Sequence, residues 1–260
     1  MAPGEIGAEP ADEVAGPASR LFEGKTSLQP ARQLIFSVRP QYTFPNHRGA
    51  TVRPIIGGVL ALWFVVVFLL GAAEAFVRPP GTPPFPIFTG ATAPLVVFLA
   101  AYWSSTAFHA FVLSIDLPLA TAIQAWRAGG LGFLALYTHG VLPGVFAWPA
   151  GLGDIAIGVT APWVALALVR RPGFATSRVF VAWNLFGILD LVVAVSTGGL
   201  SSALASGVAG EVTTGPMAQL PLVLIPAYLV PLFIMLHLAA LFQNGQMQRN
   251  GQTSSRSTAG

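Results

Sequence analysis

The sequence predicts an all-α polytopic bundle of six transmembrane helices, with the N-terminus and C-terminus both cytoplasmic. Three observations carry the prediction. The composition is 54% hydrophobic and only 9% charged, where a water-facing domain carries about 25% charged residues. Apolar runs of about 20 residues recur along the chain, long enough for a hydrocarbon core roughly 30 Å thick. The basic residues also fall on one side of such a bundle. Arg20, Lys25, Arg32, Arg39, Arg48 and Arg53 precede the first run, Arg170, Arg171 and Arg178 follow the fourth, and Arg249 and Arg256 follow the sixth. Arg78 alone falls opposite, and Arg127 lies inside a run. An even number of spans gives this asymmetry under the positive-inside rule.

Each segment has its own signals. Residues 1–54 are polar and hold seven prolines, and Glu5 and Glu9 stand where a signal peptide would be basic. They read as a disordered cytoplasmic tail whose Arg39, Arg48 and Arg53 supply orientation charge. The first span is 55–77, stopped by Arg78-Pro79-Pro80-Gly81, with a proline-rich connection over 82–86. The second is 91–113. Asp116 marks its exit, and Pro118 suits the first turn of a third span at 119–141. Leu142-Pro143-Gly144 turns into the fourth, 145–169, closed by Arg170-Arg171-Pro172-Gly173. The fifth is 179–199, and a loop rich in Ser, Gly, Ala and Thr leads to the sixth, 219–242. In that last span Pro226 and Pro231 each remove a backbone hydrogen bond and bend the helix. Residues 243–260 read as a second disordered tail.

Several function classes are excluded by what is missing. The chain has no cysteine, which removes disulfides, thiolate metal sites and covalent haem attachment. Its net charge is +3 with a pI near 9.8, but the charges sit at helix ends, which argues for membrane orientation and against nucleic acid. GGLG (129–132) and GLGD (151–154) do not fit a dinucleotide fingerprint. No Walker A, H-E-x-x-H or G-x-S-x-G occurs. No enzyme and no cofactor is expected from these patterns.

The informative residues are three charges inside the spans: Arg127, Asp154 and Asp190. Each costs about 2.5–3.5 kcal/mol at a helix centre on insertion scales, whereas a Leu or Val returns about 0.3–0.6 kcal/mol. At about 1.5 Å per residue, the two aspartates fall near the middle of the bilayer, and the stem of Arg127 reaches the same level. The aspartate segments align without a gap, GLGDIAIGVT (151–160) against GILDLVVAVS (187–196), sharing Gly-x-x-Asp-x-x-x-small. Gly151 and Gly158 share the face of Asp154, and Gly187 and Ala194 share that of Asp190. Gln124 and Gly130 flank Arg127 one turn to either side. Small residues admit a neighbouring backbone, so the three charges are expected to meet on an interior polar seam of spans three, four and five. Arg127 there is either a charge-balancing ligand group or a structural clamp.

Weaker signals remain. His109 and His237 fall near the cytoplasmic ends of spans two and six, which would permit bis-histidine ligation of a b-type haem. His139, beside Tyr137 and Thr138, reads as an interfacial residue or an outer gate.

Gln124-Ala125-Trp126-Arg127-Ala128-Gly129-Gly130, Leu142-Pro143 and Phe146-Ala147-Trp148-Pro149-Ala150-Gly151-Leu152-Gly153-Asp154 carry Q-x-x-R and P-A-G-x-G-D patterns. In these the chain resembles a group of uncharacterised bacterial multi-pass membrane proteins, over roughly residues 90 to 243. The resemblance implies a bacterial inner-membrane setting and no activity. The expectation is therefore an integral membrane protein of carrier or permease type, whose Arg/Asp/Asp site takes a proton, cation or small solute. The rival readings are a non-transporting subunit that holds a membrane-protein partner or a second copy of itself, and a haem- or quinone-binding redox protein.

Overall fold

The computed structural model describes residues 49–257, with side chains over 54–253. The expected N-terminal tail up to residue 48 lies outside the described residues. Those described are all helix and connection, with no strand. Five helices are long and apolar enough to cross a membrane: Pro54–Ala72, Phe85–Ser104, Gly144–Arg170, Arg178–Ala203 and Ile225–Thr253. Thr106–Leu113 and Leu117–Thr138, bent by 78° at their junction, add a sixth if the pair is one span. Large apolar side chains face outward, with Trp126 82% exposed and Trp103 and Trp163 close behind. A soluble monomer rarely shows so much continuous apolar surface.

Helix α1, Gly49–Ala72, starts six residues before the expected span and closes through Glu74 in a left-handed turn at φ 54°. Helix α2, Phe85–Ser104, also starts early, because Pro86 lies in its first turn, where a missing N–H costs nothing. After twenty residues, enough to cross a membrane, the chain breaks at Ser105. Ser105 takes an extended conformation, and its Oγ accepts from Phe108 N (3.3 Å), capping the short helix α3, Thr106–Leu113. The expected second span, 91–113, is therefore two helices.

Asp116 caps α4, Leu117–Ile123, accepting from Leu119 N (2.9 Å), with Pro118 in the first turn as expected. A 3-10 helix, Gln124–Gly130, and α5, Leu131–Thr138, continue that segment. Helix α6 is Gly144–Arg170. Ser177 caps α7, Arg178–Ala203, by accepting from Phe180 N (3.2 Å). After a loop, a π-helical turn over Ile225–Leu229 carries Pro226 into α8, Val230–Ser257.

The C-terminal end differs most from the sequence reading. Residues 243–257 continue α8 where a disordered tail is expected. Gln243 and Asn244 are buried there. The Gln243 amide donates to Val112 O and Ile115 O (3.0 and 2.9 Å), and Asn244 donates to Ala175 O (2.6 Å). These carbonyls lie at or just beyond the ends of other elements, where backbone acceptors are least supported by the regular helical ladder. A polar helix that satisfies them is held in place, although its composition reads as a tail.

Candidate functional site

The centre of the bundle is built on a row of every third residue. Thr121, Gln124, Arg127, Gly130 and Phe133 are all buried, and their immediate neighbours are less so. In a 3-10 helix, residues i and i+3 eclipse. An α-helix would rotate such a row by about 60° at each step. The 3-10 geometry over Gln124–Gly130 thus keeps Gln124, Arg127 and Gly130 in line against α6, α7 and α8. Gly158 of α6 lies so close that a Cβ there would fall on the backbone of Arg127 and Ala128. The two elements meet backbone to backbone, which lets the arginine stem start at the helix interface.

Arg127 is the hub, its side chain 1% exposed. Its Nε–H donates to Asp154 Oδ1 (2.7 Å) on α6, and its Nη2 donates to Asp190 Oδ2 on α7. Its Nη1 donates to Gly187 O and to His237 Nε2, both at 3.2 Å. Four of the five N–H groups of a guanidinium are thereby placed. Because arginine only donates, His237 Nε2 must accept, so the proton sits on Nδ1. That Nδ1–H donates to Asn184 Oδ1 (2.9 Å), and Asn184 Nδ2 donates to Phe180 O (2.8 Å). The ring is neutral in this arrangement. With both carboxylates ionised the cluster carries one net negative charge.

Glycines make the room. Gly153 faces the Asp190 carboxylate so closely that any Cβ would overlap it, and Gly187 stands in the same relation to the His237 ring. A Cβ at Gly130 would come within 2.6 Å of Asp154 Cβ, and one at Gly151 within 2.9 Å of Leu134. Four of the expected small residues (Gly130, Gly151, Gly158 and Gly187) therefore line helix contacts around the charges. Ala194 does not; it packs beside the Phe133–Phe146 cluster and lines a cavity.

That cavity, about 320 Å³, distinguishes the two aspartates. Asp154 lines it and Asp190 does not. Its walls are Phe133, Phe146, Leu191, Val195, Met217 and Ile225, and its loop end carries Arg78, Ser202, Thr214 and Gln219. Among the described residues, Asp154 and Arg78 are its only ionisable lining residues. The Asp154 side chain is 15% exposed against 5% for Asp190. Asp154 Oδ1 takes the Arg127 bond, and no protein donor among the described residues reaches Oδ2. The cavity runs from the loops after α1 and α7 to this carboxylate.

The structure therefore joins Arg127, Asp154 and Asp190 as the sequence implies, and corrects other expectations. Gln124 lies in the same row but donates to Phe233 O (3.3 Å) rather than joining the charges, and its buried Oε1 has no partner among the described residues. His237 is not near a helix end. The apolar helix runs from Ile225 to Thr253, which puts residue 237 near its middle. Both of its ring nitrogens are hydrogen-bonded, while His109 stacks on Tyr102 with centroids 4.4 Å apart. Neither ring nitrogen of His237 is therefore free in this structure. His139 is exposed and donates from Nδ1 to Ala135 O (2.8 Å), closing the end of α5 and not joining the seam.

Sequence reasoning missed His237, Asn184 and Gly153 as parts of the cluster. His237 is the one strongly polar residue of VPLFIMLHLAALF (230–242), and Asn184 lies three residues before Gly187 on the buried face of α7. Both signals were available. Gly153 is adjacent to Asp154 and faces the neighbouring helix, so a search for glycines on the face of Asp154 passes over it.

No curated protein and no solved structure matches the chain. A family model does match, over residues 84–243, and this stretch holds the whole Arg127 cluster and most of the cavity wall while leaving out α1. The chain belongs to the family described as Domain of unknown function (DUF8737).

Proposed function

We propose that this is a permease-like protein of a bacterial inner membrane, in which Asp154 is the accepting group for a proton, cation or small solute. In this reading the chain crosses the bilayer six times, both termini are cytoplasmic, and the cavity opens on the opposite side. One observation carries the reading: Asp154 belongs at once to the buried ion cluster and to the cavity wall. An apolar pocket that ends on a few polar groups is the usual form of a small-molecule site, and intramembrane ionisable residues mark solute or proton paths. Arg127 and Asp190 hold the acceptor in place and leave one net negative charge for the arriving group. Gln124 braces the 3-10 helix against α8.

A screen of detergent-purified full-length protein against pH, ions and metabolites tests this by thermal shift. Binding to the folded state stabilises it by about 2.7 kcal/mol at 100 times Kd. The shift should vanish in Asp154→Asn while that variant stays folded. Movement across the bilayer would then be read as uptake of the same solute into proteoliposomes.

A second reading is favoured by the use of four guanidinium N–H groups on neighbouring elements. Arg127 would then be a clamp in a non-transporting subunit that binds a membrane partner or a second copy. In that case no solute shifts the wild type, and a stoichiometric partner or dimer co-purifies.

A further inference from the structure

We propose that the cavity binds a hydrophobic organic ammonium, its N–H directed at Asp154 and its hydrocarbon body along the apolar wall. This rests on the reading of Asp154 as the accepting group and names its ligand. Three features of the cavity select the class.

The charged groups around Asp154 come first. From the 3-10 helix Arg127 faces it, from α7 Asp190 shares that arginine, and from α8 the neutral His237 lies behind the guanidinium. With both carboxylates ionised the sum is one negative charge, four of the five Arg127 N–H groups are taken by protein acceptors, and Arg127 does not line the cavity, so an anion finds no free cation at the floor. Arg78, at the loop end, is the only other ionisable lining residue among the described residues.

Coordination is the second. A bare metal cation replaces its water with several oxygens, six to eight for calcium. Beside Asp154 the wall is hydrocarbon, from Phe133, Phe146, Leu191, Val195, Met217 and Ile225, and no group of three metal-binding side chains occurs among the described residues. An ammonium needs fewer acceptors and brings its own apolar surface to such a wall.

The rings are the third. Phe133 and Phe146 meet edge to face, with centroids 5.4 Å apart, and both line the cavity. Aromatic faces attract an ammonium and disfavour a carboxylate.

The test uses full-length protein in detergent at pH 7.5, where a primary amine is charged. The probes are n-hexylammonium, methylammonium, hexanoate, 1-hexanol, sodium and potassium. Hexylammonium should raise Tm with a saturable dose dependence, and hexanoate and hexanol should not. Asp154→Asn should weaken hexylammonium by roughly tenfold or more, as expected for a lost hydrogen bond to a charged group. Ala194→Leu adds bulk to the cavity wall and leaves the three charges in place. It should weaken hexylammonium and spare methylammonium, and it decides the question if Asp154→Asn does not fold.

A hexanoate shift as large as that of hexylammonium overturns the proposal, as does a hexylammonium shift unchanged in both variants. An Asp154-dependent response to protons, sodium or potassium, with none to hexylammonium, overturns the ligand class and leaves Asp154 as the acceptor. No response to any probe or to pH overturns both.

Discussion

Two ten-residue segments, 151–160 and 187–196, look interchangeable in the sequence, each with glycine three residues before its aspartate and a small residue four after. The structure gives them opposite surroundings. Asp190 is wedged against Gly153, 5% exposed and shut off from the cavity. Asp154 gives one oxygen to Arg127 and stands on the cavity wall, 15% exposed. A shared pattern thus says that both carboxylates face protein, but not which of them a ligand can reach. The partner on the other side of each helix decides that. The helix α7 aspartate meets a glycine backbone, while the α6 aspartate meets open space.

The largest expected effect falls on both aspartates together. Arg127→Met leaves two buried carboxylates without their cation, and breaking a buried pair in this way costs about 3–5 kcal/mol. Folded yield in detergent, read by size-exclusion chromatography, should collapse. Full retention would mean that the ion pairs do not organise the bundle.

The next effect separates the two. Asp190→Asn should lower Tm more than Asp154→Asn, because Asp190 is the more enclosed and Asp154 lines the cavity. Equal losses would erase the distinction. Gly153→Ala sharpens it without touching a charge. The added methyl meets the Asp190 carboxylate, and such overpacking costs about 1–3 kcal/mol. Gly132→Ala on α5, where a Cβ meets nothing within 4 Å, should be neutral or stabilise by up to about 1 kcal/mol. Matching behaviour of the two alanine variants would show that the Gly153 contact is not tight.

The smallest effect concerns an exposed acid, Glu211, in the loop after α7. Its carboxylate accepts from Ser206 N (3.0 Å) and Gly207 N (2.8 Å), and these bonds, that of Ser206 foremost, hold it below the usual carboxylate range. A depressed folded-state value means that the contribution is full above the ordinary glutamate range and fades as pH falls through the folded value. Amide protection at Ser206 and Gly207 should weaken in that acidic window, and Tm should scarcely move. Protection that is independent of pH would remove the role of Glu211.

Much of this site was legible because charge in a bilayer is costly. Three ionisable residues in apolar runs had to face protein, and their depth put them on one level. The helix boundaries were less so. Proline in the first turn of α2 lets the helix start at Phe85, and Ser105, extended and capping α3, marks its break from the helix that follows. The 3-10 row was visible as Gln124, Arg127 and Gly130 at threes, but that spacing also suits an α-helix. His237 reads as a residue near a helix end only if the helix stops near residue 242, and α8 continues well past that point. That extension depends on Gln243 and Asn244 meeting carbonyls from distant parts of the chain, which no local pattern encodes.

The difference between the two aspartates can be read chemically. A hydrophobic carbodiimide traps the small protonated fraction of carboxyl groups that it can reach from an apolar cavity, and peptide mass spectrometry locates the adduct. The account predicts modification at Asp154, blocked by hexylammonium, with Asp190 unmodified. Adducts on Asp190, or equally on both, would contradict it.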